Sequence, residues 1–341
     1  MLEVIDKTRE ALRESPTEVA LKGLIAKSSY NRLDPKNHDT LIEANGERFS
    51  IEMVPDGQSE RLTSVQHIFE NTFGEEEVDP EDVLRAAVDG KSSWEGEKEA
   101  TKYQVHNVVD SNNEIASIVT GGRLDLTDAN NKSSGKQTFV ISYSVTTDVA
   151  RRKGLATEAF VSAITKADKD AHADGKELTY VVGEVNASAE EYVNSLGRYR
   201  VYAESREQPG KFTELRYIQP PLDFDPKTGL PAEGARNSAE HLMISNYHGK
   251  TLEKGDVLSV VRAMYTWCNT WPRSAFESDE AHATHQTYVQ GVWKEFKEQV
   301  EASDSLVLMS KETREQSRNT PGITIEDHME ADRRASNEET E

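Results

Sequence analysis

Arg151-Arg152-Lys153-Gly154-Leu155-Ala156 combines residue types and spacing suited to a definite chemistry. It follows the apolar run FVISYSV and precedes a long amphipathic pattern, so it reads as a basic turn leading from a strand into a helix. The first N–H groups of a helix have no intrahelical partner, and the positive end of the helix dipole adds to them to make an anion site. Gly154 lets the backbone approach a diphosphate closely, and Arg151, Arg152 and Lys153 add positive charge. A phosphate or pyrophosphate is the expected ligand. A turn with a solvated basic tip is the alternative that these residues alone leave open. A second stretch, VGEVNASAEEYVNSLGRY from Val182 to Tyr199, ends a strand and then turns at Asn186, a natural N-cap. Its short helix carries Ala189, Tyr192 and Leu196 and stops at Gly197, a natural C′ residue.

The elements that must hold these residues follow from periodicity. Residues 1–48 show two short helical patterns, with Val4, Ile5, Thr8 and Leu12 on one and Val19, Leu21, Leu24 and Ile25 on the other, and read as a helical extension. From Phe49 the grammar becomes mixed. FSIEMV is a strand, Asp56 to Phe73 a helix, and Pro80 to Val88 a second helix with Asp79 as its expected cap. YQVHNVV and EIASIVTGGRLDL form a hairpin across DSNN, and Asp128 to Lys136 is a loop. Phe139 to Val145 is a strand, Gly154 to Ala173 a helix and LTYVVGEV a strand. A helix at Ala187 to Leu196 and the strands YRVYAE and KFTELRYI follow. The region 49–218 is therefore expected to be an α/β domain with helices on the faces of its sheet.

Pro220, Pro221, Pro226 and Pro231 mark 219–240 as a linker or extended arm. Residues 241–310 form a helical region. It holds an apolar helix capped by Asp256 and running to Asn269, a second helix from about Glu280 to Glu301, and the possible strand SLVLMS. Trp267, Trp271 and Trp293 on these helices read as core. Residues 311–341 are polar and are expected to be disordered.

Composition narrows the function classes. The chain has 341 residues, 35% hydrophobic and 30% charged, which suits a soluble globular protein. No apolar run reaches the length of a membrane span, and the charged N-terminus has no signal-like core. The single cysteine, Cys268, excludes an internal disulfide framework and a cysteine-rich zinc site, and it fits a reducing cytosol. The 61 acidic against 40 basic residues leave a net charge of -21, which argues against broad nucleic-acid binding and mildly favours cationic partners. His282 and His285 are three apart on a helix but lack a third partner, so no metal site is expected.

The two motifs together resemble the GNAT superfamily of N-acetyltransferases. The first matches the family's Arg/Gln-x-x-Gly-x-Gly/Ala as Arg151-Arg152-Lys153-Gly154-Leu155-Ala156. The second matches as Val182, Asn186, Ala189 and Gly197. The likeness covers about half the chain, from Phe49 to Ile218, and implies a GNAT-like mixed, largely antiparallel sheet flanked by helices, with helical additions at both ends. It further implies acetyl-CoA as co-substrate, an amine acceptor, and direct attack of that amine on the thioester. The strand before the first motif is expected to splay from its neighbour at a β-bulge and to pair with the pantetheine arm through Ser144 to Thr147, including Val145. The pyrophosphate is expected on the N–H groups of Arg152 to Ala156, and Asn186 near the pantetheine.

Two departures bear on catalysis. The family's thiolate-protonating tyrosine usually lies seven residues after the asparagine. That position is Val193 here, and Tyr192 is one earlier, a rotation of about 100° on a helix. Tyr192 is thus either the acid or core. FVISYSV lacks the glutamate that many members carry as base. Glu184 is the nearest acidic candidate and Asp148 the next, with a water chain as the equal alternative. The expected activity is acetyl transfer to a primary amine. The alternative is a catalytically silent GNAT-fold module that binds acyl-CoA or a partner. The apolar C-terminal helices are expected to complete the acceptor side or a subunit interface, the latter making a homodimer.

Overall fold

The computed structural model describes residues 40–44, 46–73, 78–90, 103–127, 132–151, 153–185, 212–221, 223–235, 238–248, 252–271 and 273–302. The helical patterns before residue 40, Arg152, Asn186, the Ala187–Leu196 helix with Tyr192, YRVYAE, SLVLMS and the C-terminal tail lie outside them.

Eight strands form one sheet: β1 (Thr40–Ala44), β2 (Glu47–Met53), β3 (Tyr103–Asp110), β4 (Ile115–Thr127), β5 (Ser133–Thr146), β6 (Glu177–Val185), β7 (Phe212–Gln219) and β8 (Ser238–Asn246). Their spatial order is β1-β2-β3-β4-β5-β6-β8-β7. Only β5 and β6 are parallel, and α3 (Leu155–Ala173) makes the crossover that such a pair requires. Helices α1 (Arg61–Phe73) and α2 (Glu81–Val88) join β2 to β3, while α4 (Lys254–Met264) and α5 (Asp279–Ala302) follow β8.

Three expectations about element type are corrected. Thr40–Ala44 and the start of β2 fall in the supposed helical extension, yet they form a hairpin, because Asn45-Gly46 is a strong two-residue turn signal and Gly46 sits at φ 80°. Ser133 to Lys136, expected in a loop, are the first residues of β5. Ser238–Asn246, assigned to the arm and the helical region, is β8, inserted between β6 and β7 with antiparallel pairing to both.

Two cap assignments also change. α1 begins only at Arg61. The N-cap of α2 is Pro80, and Asp79 stands one residue outside. Glu253 is the N-cap of α4, with Asp256 at its third position accepting the Glu253 N–H at 2.9 Å. The β3–β4 hairpin turns as expected, with Asn113 at φ 65°, a conformation its short polar side chain tolerates.

The sheet carries a core on each face. On one face lies α3, whose Ala159, Ala163, Ala167 and Ala171 form a fully buried i, i+4 row, so the helix seats closely on Phe139, Ile141, Leu178 and Val181. The other face is divided. α1 and α2 bury Leu62, Val65, Phe69 and Leu84 against Val105, Ile118 and Val145. α4 and α5 bury Val257, Val261, Val292 and Phe296 against Tyr180, Val182, Tyr217, Leu242 and Ile244. The proline-rich arm folds back on α5, with Phe224 stacked edge-on against His285 at 4.3 Å.

Candidate active site

The division of that second face follows from the geometry of β5. Its pairing with β4 slips between Val119 and Gly121, where Ser144 faces Val119 but Ile141 faces Gly121. This bulge reverses the side-chain alternation. Phe139 and Ile141 pack under α3, whereas Tyr143 and Val145 turn to the α1–α2 side. The Tyr143 ring lies 4.8 Å from Phe69 and 5.6 Å from Phe73.

At the same point β5 leaves β6. Their parallel ladder ends at Ile141 opposite Gly183, while β5 continues beside β4 to Thr146. The Tyr143 N–H donates to the Thr120 hydroxyl at 3.1 Å and the Thr147 N–H to the Ala116 carbonyl at 3.0 Å, so these alternate residues face β4. Ser144 and Thr146, between them, direct their backbone groups to the side from which β6 has departed. Val145 is buried, and its carbonyl accepts from Ser117 at 3.0 Å.

The open strand leads straight to a helix end. After a 3₁₀ turn at Asp148–Ala150, Gly154 caps α3 with φ 77° and ψ 4°, a left-handed conformation that glycine adopts without cost. Gly154 brings no capping side chain, and the first helical bond runs from the Glu158 N–H to the Gly154 carbonyl. The N–H groups of Leu155, Ala156 and Thr157 therefore have no intrahelical acceptor. The Leu155 side chain is fully buried beneath the sheet, so this residue offers only its backbone.

The two described basic residues of the turn are engaged within the protein. Arg151 is exposed and pairs with Asp148 at 3.0 Å. Lys153 reaches back to β2, 2.7 Å from Glu47 and over the Phe49 ring at 5.4 Å, so its charge is already engaged. Among the described residues, backbone donors rather than free cationic side chains are the main feature of this helix end.

Glu184 stands on β6 one residue past the last β5–β6 pair. Alternation from Tyr180 and Val182 turns it toward the α4–α5 side, where it accepts from the Gln219 amide at 3.1 Å and lies beside the Tyr217 phenol. Burial drives its pKa up from 4.5 to about 7, only partly opposed by the Tyr217 hydrogen bond.

After α4 the chain makes a π-helical turn, Tyr265–Asn269. Tyr265 stacks on Tyr217 at 5.6 Å, and the Tyr217 hydroxyl donates to Asn269 at 3.3 Å. Cys268 of the same turn is reached by solvent. Protein nonetheless surrounds it on most sides. That desolvation, with the nearby charges of Glu184 and Asp79, pushes its thiol up to about 12, so it is no thiolate nucleophile at neutral pH.

Tyr217, Asn269 and the π-turn went unrecognised as candidate site residues in the sequence, where Tyr217 reads only as one aromatic of the strand KFTELRYI. Trp271 packs with Phe276 and His285, and Trp293 with Tyr265 and Phe296, as core residues. His285 accepts the Trp271 N–H at 2.8 Å.

The described residues thus form a mixed, mostly antiparallel sheet, parted beside its parallel pair and leading from the parted strand into a glycine-started helix, the arrangement that the sequence resemblance implied. No protein-family model matches the chain, and no curated protein matches it in sequence. Among solved structures it is similar in fold to Arabidopsis thaliana NAA60 in complex with acetyl-CoA, at 13% identity and a TM-score of 0.37, over 58% of this chain and 99% of that one. It is likewise similar to the ribosomal-protein-S18-alanine N-acetyltransferase of Escherichia coli, at 13% identity and a TM-score of 0.35, over 60% of this chain and 97% of that one.

Proposed function

We propose that this chain is an acetyl-CoA-dependent N-acetyltransferase that moves the acetyl group to a primary amine by direct attack. The observation that carries the reading is the parting of β5 from β6 after Ile141 and Gly183, which opens a strand edge onto the Gly154 helix end. A pantetheine arm fits along Ser144 to Thr146 as an added strand, and a pyrophosphate fits the N–H groups of Leu155 and Ala156. The thioester then falls at the mouth of the split, beside Glu184.

Acceptor amines arrive as ammonium ions and must lose a proton before they attack. Glu184, with a pKa near neutrality and a position at the split, takes that proton. The nitrogen bonds to the carbonyl carbon, the carbon–sulfur bond breaks, and the thiolate regains a proton from Tyr192, one residue short of the position that the resemblance gives to the acid, or from water. The protonated Cys268 thiol argues against an acyl-cysteine intermediate. An acidic chain with one cysteine suits a cationic acceptor in a reducing cytosol. Incubation with acetyl-CoA and a panel of amines tests this. Free thiol and acetylated amine should appear in equal amounts. CoA binding without thiol release on any amine would identify a silent binding module instead.

A further inference from the structure

The sheet parts where β5 bulges. Pairing with β4 passes from Val119–Ser144 to Gly121–Ile141, so Ser142 and Tyr143 together stand opposite the single Thr120. The β5–β6 ladder ends at Ile141, the last residue before the bulge. The bulge therefore sets the direction of the open edge from Ser144 to Thr146.

A bulge deprives strand groups of their regular partners, and side chains of β3 and β4 supply one here. The Thr120 hydroxyl accepts the Tyr143 N–H at 3.1 Å and the Tyr103 hydroxyl at 2.8 Å. Those two bonds fill both acceptor positions of the oxygen. The Tyr103 phenol also bonds the Ser142 side chain, so the hydroxyl pair touches both bulge residues. Thr120 is fully buried, which shields its bonds from bulk water.

The two glycines after Thr120 make room for this arrangement. A Cβ on Gly121 would lie 2.2 Å from the Val140 carbonyl and 2.8 Å from the Phe139 ring, so β5 approaches β4 there as only glycine permits. Gly122 pairs with Tyr103, and a Cβ on it would lie 3.4 Å from the Tyr103 ring. The phenol thus lies along the bare backbone of Gly122 and reaches Thr120 from there.

We propose that Thr120 and Tyr103 are positioning residues: their hydroxyl pair locks the bulge, and so keeps the edge from Ser144 to Thr146 parted from β6 and set to receive a pantetheine arm. The ligand in this proposal rests on the acetyl-CoA reading, whereas the lock itself can be measured in the free protein.

The first measurement needs no ligand. Thr120→Val keeps the shape of threonine without its oxygen. Amide exchange of the Tyr143 N–H, followed by NMR in the full chain and compared with the neighbouring β5 amides, should be at least about tenfold faster in this variant. Thr120→Ser should bring it back toward wild type. The second measurement compares CoA with ADP, which has the pyrophosphate but no pantetheine arm. By calorimetry, Thr120→Val should weaken CoA binding about tenfold and leave ADP binding unchanged, and Thr120→Ser should recover the CoA affinity. Tyr103→Phe removes the phenol donor and keeps the Thr120 acceptor. It serves where Thr120→Val fails to fold, and it should weaken CoA binding about threefold.

Equal losses for CoA and ADP, wild-type CoA affinity in a folded Thr120→Val, or a Thr120→Ser no better than Thr120→Val would overturn the assignment. The two readings fail separately. CoA binding without thiol release on any amine ends acetyl transfer and leaves the lock in place. A Tyr143 exchange rate that Thr120→Val does not change ends the lock, whatever the chain binds or transfers.

Discussion

Glu184→Gln should inactivate the protein and stabilise it at once. The raised pKa means that the folded chain holds the Glu184 proton more tightly than the unfolded chain does. The stabilising contribution of that proton is complete below pH 4.5 and is lost as pH rises through about 7. At 1.36 kcal/mol per pKa unit, ionising Glu184 in the folded state costs roughly 3 kcal/mol, and less where water reaches the carboxylate. Gln has the same shape, keeps a carbonyl for the Gln219 amide and never ionises. The variant should therefore match wild type near pH 4.5 and exceed it above pH 7, by a melting shift of several degrees.

Catalysis should move the opposite way. In wild type kcat/KM should rise with an inflection near pH 7. In Glu184→Gln that inflection should disappear and the rate should fall about 10²- to 10⁴-fold. Thiol release across roughly pH 5 to 9, paired with thermal melts at the same values, reads both effects. A variant that keeps the inflection, or one whose stability gain is the same at acid and alkaline pH, would refute the reasoning.

Gly154→Val puts a β-branched side chain at φ 77° beside the anion site, so CoA binding by calorimetry should weaken at least about tenfold, or 1.4 kcal/mol, in a protein that stays folded. In Gly229→Ala the new Cβ would meet the Ala281 carbonyl at 1.8 Å, and φ is already 73°, so the arm must lift from α5; a loss of at least about 2 kcal/mol is expected in urea titration. His106 and His285 are both held neutral by burial, their pKa values lowered from 6.5 to about 4. Stability should therefore fall as pH drops through that window, most visibly in Glu184→Gln, where the opposing trend of Glu184 is gone.

The glycine-started helix end was legible in the sequence because it is local: one glycine, its strand and its helix suffice to define it. The bulge in β5 was not. FVISYSV keeps its apolar–polar rhythm through Ser142, Tyr143 and Ser144, so nothing in the pattern marks the reversal that sends Ile141 and Tyr143 to opposite faces. β8 was hidden for another reason. Its Ala239, Glu240, Leu242 and Met243 are good helix formers, and the strand arises from pairing with β6 and β7, a tertiary effect that overrides local preference. Asp79 was legible only as a cap, since Tyr143, whose hydroxyl its N–H meets, comes from a distant part of the chain.

The place of β8 also decides what the C-terminal helices are. Among the described strands, β7 meets the sheet only through β8, and the face of both strands that carries Tyr217, Leu242 and Ile244 is covered by α4 and α5. Tyr265 reinforces this by donating its hydroxyl to the Ile218 carbonyl, and Asp256 accepts from the Tyr180 hydroxyl. The pair is thus no appended lid. It is the layer that closes half of one sheet face, as an apolar helix requires. After α4 this layer continues into the π-turn, whose Asn269 accepts from the Tyr217 hydroxyl beside Glu184. On the proposed acetyl-transfer reading, core and acceptor wall are built by one element, and the apolar residues of α4 hold that wall in register with the split.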